Sequence, residues 1–319
     1  MNLSASADGK RLAVLEQTSQ GQIELGELTA SGTRIKDPQR LTNDEAFGYP
    51  SDWTPDSAAV LLTYNHNGLS KIFKQPIAQH AAEPLATGPL DAYLPHVSPD
   101  GEWIIYMAAP RTSPHTPQRL MRVPVKGGVP EFVLEARNWI DHWCGHAPAS
   151  CVVTERSQDR KWRNITAFDP LKGRGKLLRT IPEDAPNGDA GPFIGSDKRP
   201  TEALSADGLT YAVARNGEDD TRIQLLSLSN GPDREIVVKG WINMTGMDWA
   251  PDSKGLYCGS ASPQGRTLLY VDLKGTAQIL RQYKGVGNGN IWGVPSPDGR
   301  YIAILGGTVS SNVWMLEGF

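Results

Sequence analysis

Short apolar runs separated by polar, turn-forming stretches fill the chain, and the runs fall into matched sets. Residues 12–15, 60–64, 103–107, 210–214, 255–258 and 301–305 each follow a small residue or proline, then Asp, then Gly or Ser. These phrases read Ser6-Ala7-Asp8-Gly9, Thr54-Pro55-Asp56-Ser57, Ser98-Pro99-Asp100-Gly101, Ser205-Ala206-Asp207-Gly208, Ala250-Pro251-Asp252-Ser253 and Ser296-Pro297-Asp298-Gly299. A second set, at 23–28, 72–77, 120–125, 223–228, 268–273 and 313–316, follows after a polar stretch, and a short third run closes several copies. Runs of this length, rich in β-formers and bounded by Gly, Asn and Asp, predict strands and not helices. With the strand ahead of each Asp-Gly turn, every copy predicts four antiparallel strands.

The phrase recurs about every 45 residues with one interval about twice as long, and four-stranded units at this period predict a β-propeller. The long interval holds a worn copy around Pro148, where strand, turn and strand survive without the Asp-Gly pair. The expectation is therefore all-β: one seven-bladed propeller over 1–319, with blades near 1–42, 43–87, 88–135, 136–181, 182–240, 241–285 and 286–319. The Pro- and Gly-rich stretch 182–200 reads as a long loop. The last copy stops after three strands, so a three-stranded last blade is expected, or a missing strand upstream in a longer parent. At each turn Asp bonds its own backbone and Gly supplies a positive φ, so the recurring aspartates are expected to serve the fold. Trp53, Val97, Leu204 and Trp249, two residues before the Pro or Ala, are expected to wedge between blades.

Composition narrows the function classes. A net charge of −3 with 21% charged residues gives no basic field, so nucleic acid is not an expected partner. A local basic stretch, Arg156 to Arg179, divides between two loops on opposite faces and reads as solvated surface. No apolar run approaches the roughly 18 residues of a spanning helix, so no membrane segment is expected. The start, Met1-Asn2-Leu3-Ser4, enters a repeat with no signal-peptide core before it. That fits a cytoplasmic protein, or a piece of something longer.

The phrase Pro-Asp-Gly ahead of a β run resembles the TolB-type propeller repeat, a relative of the WD repeat, over the whole chain. Two stretches are similar to the C-terminal propellers of bacterial, acidobacterial-type serine/threonine kinases and winged-helix regulators. They are residues 168–178 and the ending SPDGRYIAILGGTVSSNVWMLEGF at 296–319. The resemblance implies a sensor or protein-binding module in signalling with an upstream effector domain, and offers no catalytic residue to carry over. No kinase or winged-helix signature occurs in these residues.

In the worn copy, His142, Cys144 and His146 share one strand face and Cys151 follows Cys144 by seven residues. The residues leave a metal site, a Cys144 to Cys151 disulfide and free buried thiols all open, although a flat row does not converge on a metal. The resemblance favours the disulfide, because the family carries a similar pair in this degenerate blade. A disulfide would point outside the cytoplasm, to the periplasm; without it the cytoplasm is expected. No metal and no cofactor are expected, and Cys258 is expected as a buried thiol.

Propeller topology brings the loops that lead into the innermost strands to one face, and they carry Phe47, Tyr49, Tyr93, Trp139, Trp241 and Trp292. Aromatics around a concave mouth suit capture of a peptide, protein or small ligand. An enzyme would instead gather acids and a base in the channel. Asp52, His96, His142 and Asp248 hold the positions from which inner strands reach it. There is no Gly-x-Ser-x-Gly elbow for a hydrolase nucleophile. The leading expectation is a non-enzymatic sensor or interaction propeller. The alternatives are a channel-centred lyase or hydrolase, and an envelope scaffold resembling TolB.

Overall fold

The computed structural model describes residues 2–8, 10–42, 48–66, 69–79, 81–86, 88–110, 118–146, 149–183, 201–284 and 290–317. Strands β1 (Asn2–Ala5), β2 (Arg11–Thr29) and β3 (Arg34–Arg40) come first. Five four-stranded antiparallel sheets follow, each from four consecutive strands. They run from β4 (Gly48–Trp53) to β7 (Glu83–Ala86), from β8 (Asp91–Val97) to β11 (Glu131–Ala136), and from β12 (Trp139–Cys144) to β15 (Gly173–Pro182). The other two run from β16 (Glu202–Leu204) to β19 (Arg234–Lys239) and from β20 (Met244–Trp249) to β23 (Ala277–Lys284). Strands β24 (Trp292–Pro295) and β25 (Tyr301–Glu317) end the chain. The inner strands β4, β8, β12, β16, β20 and β24 touch in that order, and β24 touches β4 to close a ring. The architecture is an all-β propeller.

The first and last of the seven repeats are joined: among the described residues they share one sheet. Residues 23–27 of β2 pair with 301–305 of β25, so the order β24, β25, β2, β3 makes a complete closing blade. The last repeat does not stand alone as a three-stranded blade; the N-terminal strands fill its outer half. The turns expected near 16–22 and 306–312 are straight, and each repeat runs on as one strand of 19 or 17 residues. The shared sheet ties the two ends of the chain together and closes the ring, so that no blade face is left unpacked at the seam.

The wedge positions behave as their spacing predicts. The Trp53 indole is 1% exposed and donates from Nε1 to the Val294 carbonyl of the neighbouring blade at 2.9 Å. Trp249 donates in the same way to Ala203 at 3.1 Å, and Trp292 donates to Pro50 at 3.1 Å. Each ring thus excludes water between blades while its one polar atom is satisfied. Leu204 is buried and Val97 half-buried.

The Asp phrase also folds as expected. The carboxylates of Asp8, Asp56, Asp100, Asp207, Asp252 and Asp298 each accept the amide two residues on, at 2.9–3.1 Å. Where the next residue is Gly, φ is positive, as at Gly101, Gly208 and Gly299; Ser57 and Ser253 hold the same conformation at φ 57° and 55°. A left-handed non-glycine residue costs roughly 1–2 kcal/mol, offset in part by glycine's larger unfolded-state entropy. Ser253→Gly should therefore stabilise the chain by about 0.5 kcal/mol. A denaturant midpoint that moves down would contradict this.

Two of these carboxyls show the electrostatic consequence. At Asp56 the Thr54 hydroxyl, and then the Ala58 amide, hold the group below the usual carboxylate range. At Asp298 partial burial opposes ionisation, but bonds from Ser296 and Arg300 outweigh it and bring the pKa down to about 2. A carboxyl depressed in the folded state stabilises that state above its unfolded value of 3.8, and the contribution fades as pH falls toward 2. The melting temperature is expected to hold above pH 5 and fall between pH 4 and 2, with Asp298→Asn making that fall shallower. An unchanged slope in the variant would refute the assignment.

Candidate functional site

All six inner strands end at one level, because the turn phrase or its worn copy interrupts each of them there. Their last residues and the turns that follow enclose a cavity of about 270 Å³ on the ring axis. Asp52 and Trp53 come from β4, His96 and Val97 from β8, Trp143 and Cys144 from β12, Asp248 and Trp249 from β20. Leu204 of β16 and Val294 of β24 complete the wall, and Pro55, Pro99, Asp100, Pro251 and Pro297 line the rim. Among the described residues three aspartates and two histidines, His96 and His146, border the cavity, and no lysine or arginine does.

The acids are held by backbone donors. Asp52 accepts the Trp53 amide at 2.7 Å and the Val97 amide of the next blade at 2.8 Å, and its Oδ2 lies 3.6 Å from His96 Nδ1. Asp248 accepts the Trp249 amide at 2.9 Å, and Asp141 of β12 accepts the His142 amide at 2.7 Å. The His96 ring lies against Trp143 with centroids 4.7 Å apart and meets His142 edge-on at 5.2 Å. His142 is wholly buried with Nε2 3.4 Å from the Ile105 carbonyl. Burial, and then the neighbouring His96, push its pKa well below the ordinary imidazole value, so it stays neutral. Of the four channel candidates, Asp52, His96 and Asp248 line the cavity, while His142 sits behind His96.

The aromatic mouth expected at the other end of the inner strands is distributed differently. Trp292 and Tyr93 are each 2% exposed and packed between strands. Tyr49 is half-buried against Trp292 at 6.0 Å, and Trp241 packs on the buried core. Phe47 and the Trp139 side chain lie outside the described residues. None of the four described ones borders the cavity.

The sequence reading missed Trp143, Pro99 and Asp100 as site residues. Their signal was the turn phrase itself, taken as purely structural although its ring of copies forms the cavity rim.

Cys144 and Cys151 stand opposite each other across the β12 hairpin and form a disulfide, with Cα atoms 4.0 Å apart. The bond closes the inner hairpin of the worn copy, where the Asp phrase is lost. Among the described residues no group of three or more His, Cys, Asp or Glu is placed to hold a metal ion. Cys258 is a buried free thiol whose pKa is raised by burial and then by Asp248. In the basic stretch, Arg156 and Arg163 pair with Glu183, Arg174 with Glu155 and Arg179 with Asp233, which neutralises much of its charge locally.

No protein-family model matches this chain, and no curated protein does. Solved structures do. A candidate TolB from Agrobacterium tumefaciens superposes with a TM-score of 0.64 at 16% identity, covering 92% of this chain and 99% of that one. TolB from Acinetobacter baumannii gives 0.61 at 13% identity over 86% of this chain and 67% of that one. A chain of a nidogen/laminin complex gives 0.58 at 12% over 91% and 98%. The fold is a TolB-like β-propeller. At these identities the likeness extends to the TolB-like fold alone, and no described helix is long and apolar enough to cross a membrane.

Thiol counting checks the cysteine chemistry of this TolB-like propeller. A thiol reagent should find no reactive thiol in the native protein, one after denaturation and three after denaturation with reduction. Closing so short a loop stabilises by about 2.5 kcal/mol in the chain-entropy account, so reduction should also lower the melting temperature. Three thiols before reduction would rule the disulfide out.

Proposed function

We propose that this chain is a non-enzymatic interaction propeller whose axial cavity receives a positively charged group of a peptide, protein surface or small ligand. The observation that carries this is the lining. Asp52, Asp100 and Asp248 meet there with Trp53, Trp143 and Trp249, and among the described residues no lysine or arginine opposes them. Carboxylates fixed by backbone amides are held in place at the edge of the space, where a cationic group can meet them with charge-assisted hydrogen bonds. The volume suits one or two side chains and not a large cofactor.

The wider role is a sensor or binding module of a bacterial signalling protein, supported by the sequence likeness to kinase- and regulator-linked propellers. A TolB-like envelope scaffold is the alternative context. A location outside the cytoplasm is supported by the disulfide. The contact of Asp52 with His96 favours a second reading, a channel enzyme using His96 as base. Its test is turnover that vanishes in His96→Ala while the fold persists.

Intrinsic tryptophan fluorescence, titrated with ten-residue peptides of net charge +3, 0 and −3, tests the interaction role. The +3 peptide should bind tightest, and Asp248→Asn should weaken it about fivefold to tenfold, roughly 1–1.4 kcal/mol. Equal binding of all three peptides, or an indifferent Asp248→Asn, would remove the cationic-ligand reading.

A further inference from the structure

Past the closing blade, β2 and β25 continue side by side as an arm. Residues 11–20 pair with 308–317, and β1 adds to the outer edge of β2. The arm reproduces three positions of a blade. β1 and the first half of β2 are the inner and second strands of the first repeat, and the end of β25 is the third strand of the last. The two repeats have exchanged outer halves: one composite closes the ring and the other stands outside it.

The arm has the side chains of a ring blade without the burial. Opposed residues in antiparallel strands share a face. The registers Leu3 with Val14 with Trp314, and Ala5 with Leu12 with Leu316, therefore place six apolar residues on one face. Leu3, Trp314 and Leu316 on that face are 62%, 58% and 51% exposed. Val313 and Met315, on the other face, are 68% and 60% exposed. The corresponding third strand of another blade, Gly265–Asp272, is buried over seven of its eight residues. An uncovered apolar face of this kind marks a contact surface.

The ribbon joining arm to ring is Gly-rich and polar in sequence, with Gly21 opposite Gly307 and Gln22 opposite Gly306. Strands of this composition specify their partners weakly and favour exchange between copies.

We propose that the arm docks a second copy of this chain, its apolar face packing on the same face of the other arm as one blade packs on the next. A two-fold contact needs a self-complementary surface, and these six residues carry no charge to repel their equivalents. Blade-on-blade packing of apolar sheet faces already builds the ring. Six side chains are far fewer than the roughly 20–30 residues a side of a standard interface, so the association is weak, in the micromolar range.

Sedimentation velocity of the full chain from about 1 to about 200 µM reads the outcome. The wild type should pass from monomer to dimer across that range. Trp314→Lys and, separately, Leu3→Asp should move the midpoint at least tenfold upward while the melting temperature of the ring holds. Leu3→Asp lies on β1, which pairs only with β2 among the described strands, so it serves if Trp314→Lys impairs folding. A monomer at every concentration overturns the proposal, as does a dimer that both substitutions leave intact. A monomer whose amides at 313–316 are strongly protected from hydrogen exchange also overturns it, and points to the arm re-pairing within its own chain as a seventh blade.

Discussion

The pairing of residues 23–27 with 301–305 is the contact on which the rest of the molecule depends. It joins strands nearly 280 residues apart in sequence and turns a row of repeats into a ring. Without it β24 would end an open array, and the indole bonds between β4 and β24 would lose their partners. Antiparallel pairing across the two ends satisfies backbone groups that an open sheet would expose. Closure also fixes the spacing of the inner strands, and with it the width of the axial cavity.

The Asp turn acts at two scales. Locally it locks a hairpin through a carboxylate bonded to its own backbone. Across the ring, its repetition ends every inner strand at the same level and brings residues from different blades to one axis. Asp52 shows the coupling: its carboxylate bonds its own strand, spans to Val97 of the next blade and faces His96. In the fourth blade, where the phrase is lost, the disulfide closes the hairpin. The Gly145 and His146 turn there bonds across to Ala206 of the fifth blade.

Between the fourth and fifth blades a polar network takes the place of an indole wedge. Arg163 of the fourth blade pairs with Glu202 at the start of β16 and with Glu183 at 2.8 Å. Burial alone would lower its pKa, but Glu202 and Glu183 outweigh that and raise it. Such a buried pair is costly to break from one side, since the remaining charge would be left in an apolar setting. It lies at the boundary that follows the worn copy, where the repeat pattern is weakest; the loop expected over 182–200 falls, from residue 184 on, outside the described residues.

The propeller architecture was legible because repetition is a property of the chain: the Asp phrase, the apolar runs and the wedge tryptophans each recur in register. Asp52, His96 and Asp248 were legible as channel residues for the same reason, being fixed by their offset from the phrase. The cavity's end of the ring was not legible. It depends on how far the six turns approach one another, and aromatics such as Trp292 and Tyr93 are spent between strands and not displayed. The pairing at the seam also lay beyond the sequence, which specifies strands but not which distant strand pairs with which. Residues 12–15 and 23–28 are strands in either arrangement. Only the closed ring decides that the second of them joins the last repeat while the first leaves the ring, because strand pairing is settled by the edges that remain to be satisfied once all the blades are in place.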